Sequence, residues 1–335
     1  MHKTLFRLLL LLCVLVAASP LMCAGASSQD PKLEDLYADV NGVRLHYVTA
    51  GKGELIVFLH GFPEFWYQWK PQLAEFSKDF QTVALDMRGY NLSSKPGSVD
   101  QYRVKDIVED VRALAEHLGH KKFILVGQDW GGVIAWAFAL YHPEYIEKLV
   151  VMNAPHPSLF DRELKENPAQ QWASRYMLAT RDPALAQKYA VNDYAPLVQL
   201  VLADGLKSGR FNDEDREAYL AAWSQPGALD SALNYYRAMH LGPADPQTQF
   251  AANGNYTPDL MSTVVHVPTL LIWGLKDPYL LAGNLSGIAT FVPDLEVKLL
   301  PDASHWVNRE KADNVNAAMR KFLGAAAKST KPEAP

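Results

Sequence analysis

Three reactive side chains stand in this sequence at places where they can act together. Gly127-Gln128-Asp129-Trp130-Gly131-Gly132 follows the apolar run Phe123–Val126 and precedes a helical pattern over Gly132–His142. Glycines flanking a central polar residue permit a sharp strand-to-helix turn in sparsely populated φ/ψ space, which lifts the central side chain clear of a sheet. Such an elbow often presents a serine; here it presents a carboxylate. The string alone is weak, because Asp is also a routine helix N-cap. Its partners decide. Asp277 lies in Gly274-Leu275-Lys276-Asp277-Pro278, just past the apolar run Thr269–Trp273. His305 lies in Pro301-Asp302-Ala303-Ser304-His305-Trp306, just past Val297–Leu300. An isolated Asp beside Pro is usually a turn residue, and an isolated His beside Trp is often packing. Together they supply nucleophile, acid and base in chain order, each past the end of a strand.

A carboxylate is poorly suited to acyl transfer, whose product would be an anhydride. It suits displacement at a saturated carbon, where it forms an alkyl ester. His305, oriented by Asp277, would then draw a proton from the water that cleaves that ester. The oxyanion so formed needs donors. His60-Gly61-Phe62-Pro63, after the run Leu55–Leu59, offers the backbone N–H of Phe62, and the residue after the elbow offers that of Trp130. His60 reads as a buried residue that holds its loop, not as the base.

These residues need a scaffold of strand ends. Leu55–Leu59, Thr82–Leu85, Phe123–Val126, Leu149–Met152, Thr269–Trp273 and Val297–Leu300 read as apolar throughout, which predicts strands buried on both faces of a mostly parallel sheet. Asn41-Gly42 marks an opening hairpin, and Val104–Leu118 is a helical pattern. From His156 to His266 there is no strand run, only helix-forming stretches punctuated by Pro168, Pro183, Pro196 and Pro226. The expected architecture is an α/β core over 33–155 and 267–323, flanked by helices. A helical cap inserted at 156–266 covers the sheet's carboxyl edge, and 324–335 is a frayed tail.

Residues 1–26 read as an export signal: Lys3 and Arg7, then the apolar stretch Leu8–Ala18, then Ala24-Gly25-Ala26. A periplasmic or secreted protein is expected, with membrane contact only through this segment if it is retained as an anchor. Lipidation at Cys23 is a further alternative. Cys13 and Cys23 are the only cysteines, so the mature chain would carry no thiol. A formal net charge of -5 gives no basic footprint for nucleic acid. No H-E-x-x-H and no phosphate-binding loop occurs, so neither metal nor cofactor is expected.

The strings H-G-F-P-E-F-W, D-M-R-G-Y, G-Q-D-W-G-G, M-N-A-P-H-P, W-G-L-K-D and S-H-W resemble the epoxide hydrolases of the α/β-hydrolase superfamily, over about Leu36 to Leu323. The resemblance implies a small-molecule epoxide substrate and two cap tyrosines that hydrogen-bond its oxygen. Asn234-Tyr235-Tyr236-Arg237 points to Tyr236, and Ala173-Ser174-Arg175-Tyr176-Met177 points to Tyr176, with Tyr189, Tyr194, Tyr219 and Tyr235 as competitors. Phe62, Trp130 and Trp172 are the aromatics expected to touch substrate. Two departures stand out: Gln128 replaces the usual His, with a bearing on pocket polarity, and Asn91 replaces a Gly. Two other readings are weighed. A haloalkane or haloacid dehalogenase would use the same three residues, with Trp130 and either Trp172 or Trp223 as halide donors. A catalytically silent binding protein usually lacks a triad member, and none is missing here.

Overall fold

The computed structural model describes residues 31–245 and 264–324. The signal expected at 1–26, residues 325–335 of the expected tail and residues 246–263 of the expected cap lie outside the described residues.

Asn41 and Gly42 adopt φ of 48° and 74°. Two successive left-handed residues suit the tight turns that join twisted strands, and here they join β1 (Glu34–Val40) to β2 (Val43–Ala50). The other strands are β3 (Leu55–Leu59), β4 (Gln81–Leu85), β5 (Phe123–Gln128), β6 (Ile146–Met152), β7 (Thr269–Gly274) and β8 (Leu295–Leu300). One eight-stranded sheet results, in the order β1-β2-β4-β3-β5-β6-β7-β8. The pairings of β1 with β2 and β2 with β4 are antiparallel, and the rest are parallel. The chain winds from β3 to β4 on one side and then to β5 on the other. The carboxyl end of β3 is therefore a topological switch point, where open α/β sheets bind ligands.

Every residue of β3, β5 and β7 is buried. Burying each Leu, Ile or Val side chain contributes about 1.5–3 kcal/mol. One face packs on Val104–His117 and Trp130–Tyr141, the other on Lys70–Phe76 and Ala312–Leu323. The last strand departs from expectation. Predicted to be buried on both faces, β8 is the sheet's edge, and Glu296 through Leu299 are exposed. The run Val297–Leu300 contains Lys298, and with Glu296 before it the strand alternates apolar and charged residues, the signature of a half-buried strand.

Between β6 and β7 the chain forms helices only, from Pro157–Glu166 to Ala228–Met239, among the described residues. They share an apolar cluster in which Leu197, Leu202, Tyr219, Trp223 and Leu233 pack with Phe65 of the core. Polar ties fix this layer to the sheet. The Tyr235 hydroxyl donates to the Arg88 carbonyl at 2.8 Å, and Arg88 is itself held by both oxygens of buried Asp110. Tyr219 donates to Glu64 at 2.6 Å, and Arg309 pairs with Glu64 at 2.9 Å. The helix Leu185–Leu197 breaks where Asn192, Asp193 and Tyr194 take φ of 50°, 52° and 60°, and a π-helical turn, Val198–Leu202, follows.

Candidate active site

Asp129 sits between β5 and the helix Trp130–Tyr141 with φ 52° and ψ −121°, a conformation that costs a side-chain-bearing residue about 1–3 kcal/mol. The surrounding glycines make it possible. A Cβ on Gly131 would fall 2.0 Å from the Leu59 carbonyl oxygen, and one on Gly61 would fall 2.5 Å from the Asp129 side chain. Backbone and carboxylate can approach only because those positions are bare.

The Phe62 N–H donates to Asp129 Oδ1 at 2.8 Å. Trp130 is the first residue of its helix, so its N–H has no intrahelical acceptor and remains free to serve the same region. His305 Nε2 lies 3.4 Å from Asp129 Oδ2, while His305 Nδ1 is 2.8 Å from Asp277 Oδ2. The structure thus brings together Asp129, His305 and Asp277, which are distant in sequence.

Burial disfavours charge on the His305 ring, but the carboxylates of Asp277 and Asp129 outweigh it and hold its pKa at about 10. Asp277 is likewise opposed by burial, yet His305, Asn153 and the Leu280 N–H keep its carboxyl below the usual range. In the resting site the imidazolium is therefore clamped between two carboxylates. His60 is different. Its Nδ1 donates to the Gly61 carbonyl at 2.8 Å, its Nε2 accepts from the Met87 N–H at 3.1 Å, and burial lowers its pKa. Both ring nitrogens are used in holding the loop.

Across the site, Tyr236 packs edge-on against Trp130 at 4.9 Å and Phe62 at 5.6 Å, and lies 6.1 Å from Tyr176, between ring centroids. Burial, reinforced by the charge of Asp129, pushes both phenols well above their ordinary range, so both keep their protons at neutral pH. Both line cavities shared with Asp129. The competing tyrosines separate by position. Tyr235 and Tyr219 are tied to Arg88 and Glu64. Tyr194 packs on Trp223. Tyr189 joins the cavity wall.

Trp172 requires a correction. It is 70% exposed, with the Arg175 guanidinium stacked 3.2 Å from its ring centroid, and it touches neither cavity. The short helix Pro168–Ala173 turns that side chain outward, which a reading of composition does not reveal. Trp223 is equally removed: its indole donates to the Pro63 carbonyl at 2.7 Å. Gln128 is fully buried and donates to the His305 carbonyl at 3.1 Å, so it supports the loop of the base. Asn91, at φ 39°, fills the Gly position with a residue type that tolerates the left-handed region, and it donates to Asp86 at 2.7 Å.

Sequence reading missed Asn153. At the end of β6, with φ 41°, it donates to Asp277 Oδ2 at 2.6 Å and accepts from the Gly274 N–H at 3.0 Å. Its place at the end of a strand beside β7 was the available signal. Tyr279 was missed as well; it stands edge-on to His305 at 5.4 Å and to Tyr176 at 5.5 Å.

The family model described as alpha/beta hydrolase fold matches residues 54–312. Among known proteins, Epoxide hydrolase 4 of Mus musculus is 36% identical over 291 residues, 84% of this chain and 77% of that protein. An epoxide hydrolase structure from Bacillus megaterium, in complex with an inhibitor, superposes with a TM-score of 0.81 at 41% identity, covering 86% of this chain and 100% of that one. One from Vigna radiata gives 0.74 at 27% identity, covering 88% and 98%. With a carboxylate at the elbow and a histidine and second carboxylate behind it, the chain is an α/β-hydrolase-fold enzyme. It belongs, within that superfamily, to the epoxide hydrolase family.

Proposed function

We propose that this enzyme opens an epoxide to a vicinal diol in two steps. One Asp129 carboxylate oxygen attacks a ring carbon. The C–O bond of the ring breaks as Tyr176 and Tyr236 donate to the departing oxygen, and an alkyl ester forms. His305, oriented by Asp277, then takes a proton from water, whose oxygen adds to the Asp129 carboxyl carbon. The N–H groups of Phe62 and Trp130 receive the oxyanion; its collapse breaks the bond to the ester oxygen, which takes the proton held by His305, releasing the diol and restoring the Asp129 carboxylate.

The observation that carries this reading is the double engagement of one carboxylate: Asp129 meets a backbone donor at 2.8 Å and the His305 ring at 3.4 Å, opposite two phenols that keep their protons. The charge balance also gives the steps an order. While Asp129 is ionised, His305 is held charged and cannot act as a base. Alkylation removes the Asp129 charge, and with it part of what raises the ring's pKa. The proton the ring then gives up neutralises, through solvent, the phenolate or alkoxide left by ring opening, so forming the ester readies the base that destroys it.

The cavities point to a substrate with unequal arms. On one side of Asp129 and the tyrosines lies a cavity of about 130 Å³ walled by Phe62, Tyr189, Leu200, Tyr279 and Trp306. On the other lies one of about 20 Å³ against Val133, Phe160, Met177 and Leu280. An aryl arm on a terminal epoxide fits this asymmetry, so styrene oxide is the better substrate than a long-chain internal fatty epoxide.

A single turnover in heavy-oxygen water tests the mechanism, because the label must enter Asp129 before it reaches diol in later turnovers. Label found in the first diol and absent from Asp129 would exclude the ester. Replacement of His305 by Gln should stop turnover and leave the protein heavier by the mass of one epoxide. Halide release from haloalkanes is the control for the rival chemistry, since the unpartnered Trp306 indole lines the larger cavity. The proposal includes export, supported by the charge and apolar pattern of residues 1–26. Intact mass of the mature protein should place its first residue at Ser27.

A further inference from the structure

The edge strand β8 carries a pattern that complements itself. Its residues Leu295-Glu296-Val297-Lys298-Leu299 alternate apolar and charged side chains, with opposite charges placed symmetrically about Val297. Val297 is 46% exposed and Leu299 43%, on the face that also holds the half-buried Leu295. Pairing with β7 runs without a bulge and the strand contains no proline; of the devices that blunt an edge it has only charge, and its two charges, Glu296 and Lys298, are of opposite sign, so they repel a foreign edge less than they can complement a copy of this one.

Backbone direction agrees with the side chains. The Asp294 and Leu300 carbonyls accept from the Thr269 and Leu275 N–H groups of the neighbouring segment. Even-numbered residues therefore turn their backbone groups toward β7, and Leu295, Val297 and Leu299 turn theirs outward. An antiparallel partner strand needs outward residues opposite outward residues.

We infer that β8 is a self-association edge, pairing antiparallel with β8 of a second copy about a twofold axis at Val297. Val297 then faces its own copy and Leu295 faces Leu299 in hydrogen-bonded pairs. Glu296 faces Lys298 twice, at the closer, non-hydrogen-bonded positions where side chains interact most. Registers centred on Glu296 or on Lys298 preserve the backbone bonds but set like charges opposite at the axis. The other edge offers no such match: the charges of β1, Glu34, Asp35 and Asp39, are all acidic, so its self-pairing would oppose acid with acid.

Six residues of edge make a small interface, so the dimer should be concentration-dependent, with half-association in the micromolar range. Sedimentation of the full chain up to about 100 µM should reveal it. Lys298→Glu and Glu296→Lys, singly, each turn both cross-strand pairs into like charges and should weaken association about tenfold or more. The double exchange restores opposite charges and should bring affinity back to near that of the unaltered protein. All three variants should retain diol-forming activity, because neither residue touches the site. A protein that stays monomeric throughout this range would overturn the inference. So would a dimer indifferent to the single exchanges, or one that the double exchange fails to rescue.

Discussion

The two walls of the site are built by different rules. On the sheet side, Asp129, Asp277, Asn153 and His305 stand at or just past the ends of β5, β7, β6 and β8, and each is fixed by backbone geometry or by a named hydrogen bond. On the cap side, Tyr176 and Tyr236 sit on helices and are held by ring packing. The tether of the Tyr236 helix is a neighbour, Tyr235, bonded to Arg88. The nearby segment, Val191–Leu202, contains three left-handed residues and a π turn. Strand ends place reacting groups to within hydrogen-bond tolerance, whereas the cap supplies shape and proton donors from a layer that packing can adjust. Chemistry should therefore fail abruptly when the sheet wall is altered and degrade in stages when the cap wall is.

The largest effect is expected at Asp129. Asp129→Asn keeps an acceptor for the Phe62 N–H but removes the nucleophile, and diol formation should fall by at least about 10³-fold. The same variant removes a negative neighbour from His305, whose pKa should drop from about 10. An NMR titration that found the ring unchanged would show that Asp277 alone holds it. The linkage has a definite sign. Because the folded-state pKa lies above the ordinary 6.5, the stabilisation is present in full below pH 6.5 and is lost as pH rises through about 10. Alkaline unfolding of Asp129→Asn should therefore begin at lower pH than that of the parent.

Next come the phenols. Tyr236→Phe or Tyr176→Phe alone should slow ester formation by about tenfold to a hundredfold, since one donor remains. Removing both should cost the 10²–10⁴-fold typical of lost general-acid assistance. Rapid-quench measurement of the alkylation step, with melting temperature as control, separates this from loss of packing. If the double variant fell no further than either single one, the two tyrosines would not share the leaving oxygen.

Smaller is Asn153→Ala. It deletes one of the bonds that lower the Asp277 pKa, so that carboxyl should rise and orient His305 less well, slowing ester hydrolysis by about tenfold. Smallest is Trp172→Ala, which should leave kcat/KM within about twofold, because exposed side chains away from a site contribute little. A larger loss there would mean that substrate contacts the outer cap.

The sequence by itself determined the three reacting groups of the sheet wall, though not Asn153, which supports them. A glycine-flanked Asp after one apolar run, and an Asp and a His after two later ones, imply their meeting because parallel strands gather their carboxyl ends along one edge. Oxyanion donors follow from the same logic, being backbone groups whose position does not depend on side-chain packing. Motif strings pointed to Tyr176 and Tyr236, but only tertiary structure sorted the remaining aromatic residues of the cap. Trp172, Tyr176, Tyr189 and Tyr235 all belong to helical segments of similar composition, yet one points to water, two line the site and one holds Arg88. Helix periodicity marks an apolar stripe, but it does not say against what that stripe packs. The alternation of Glu296 and Lys298 with apolar residues separates β8 from the continuous run of β7, but that β8 is the sheet's edge depends on which strand has a neighbour on both sides.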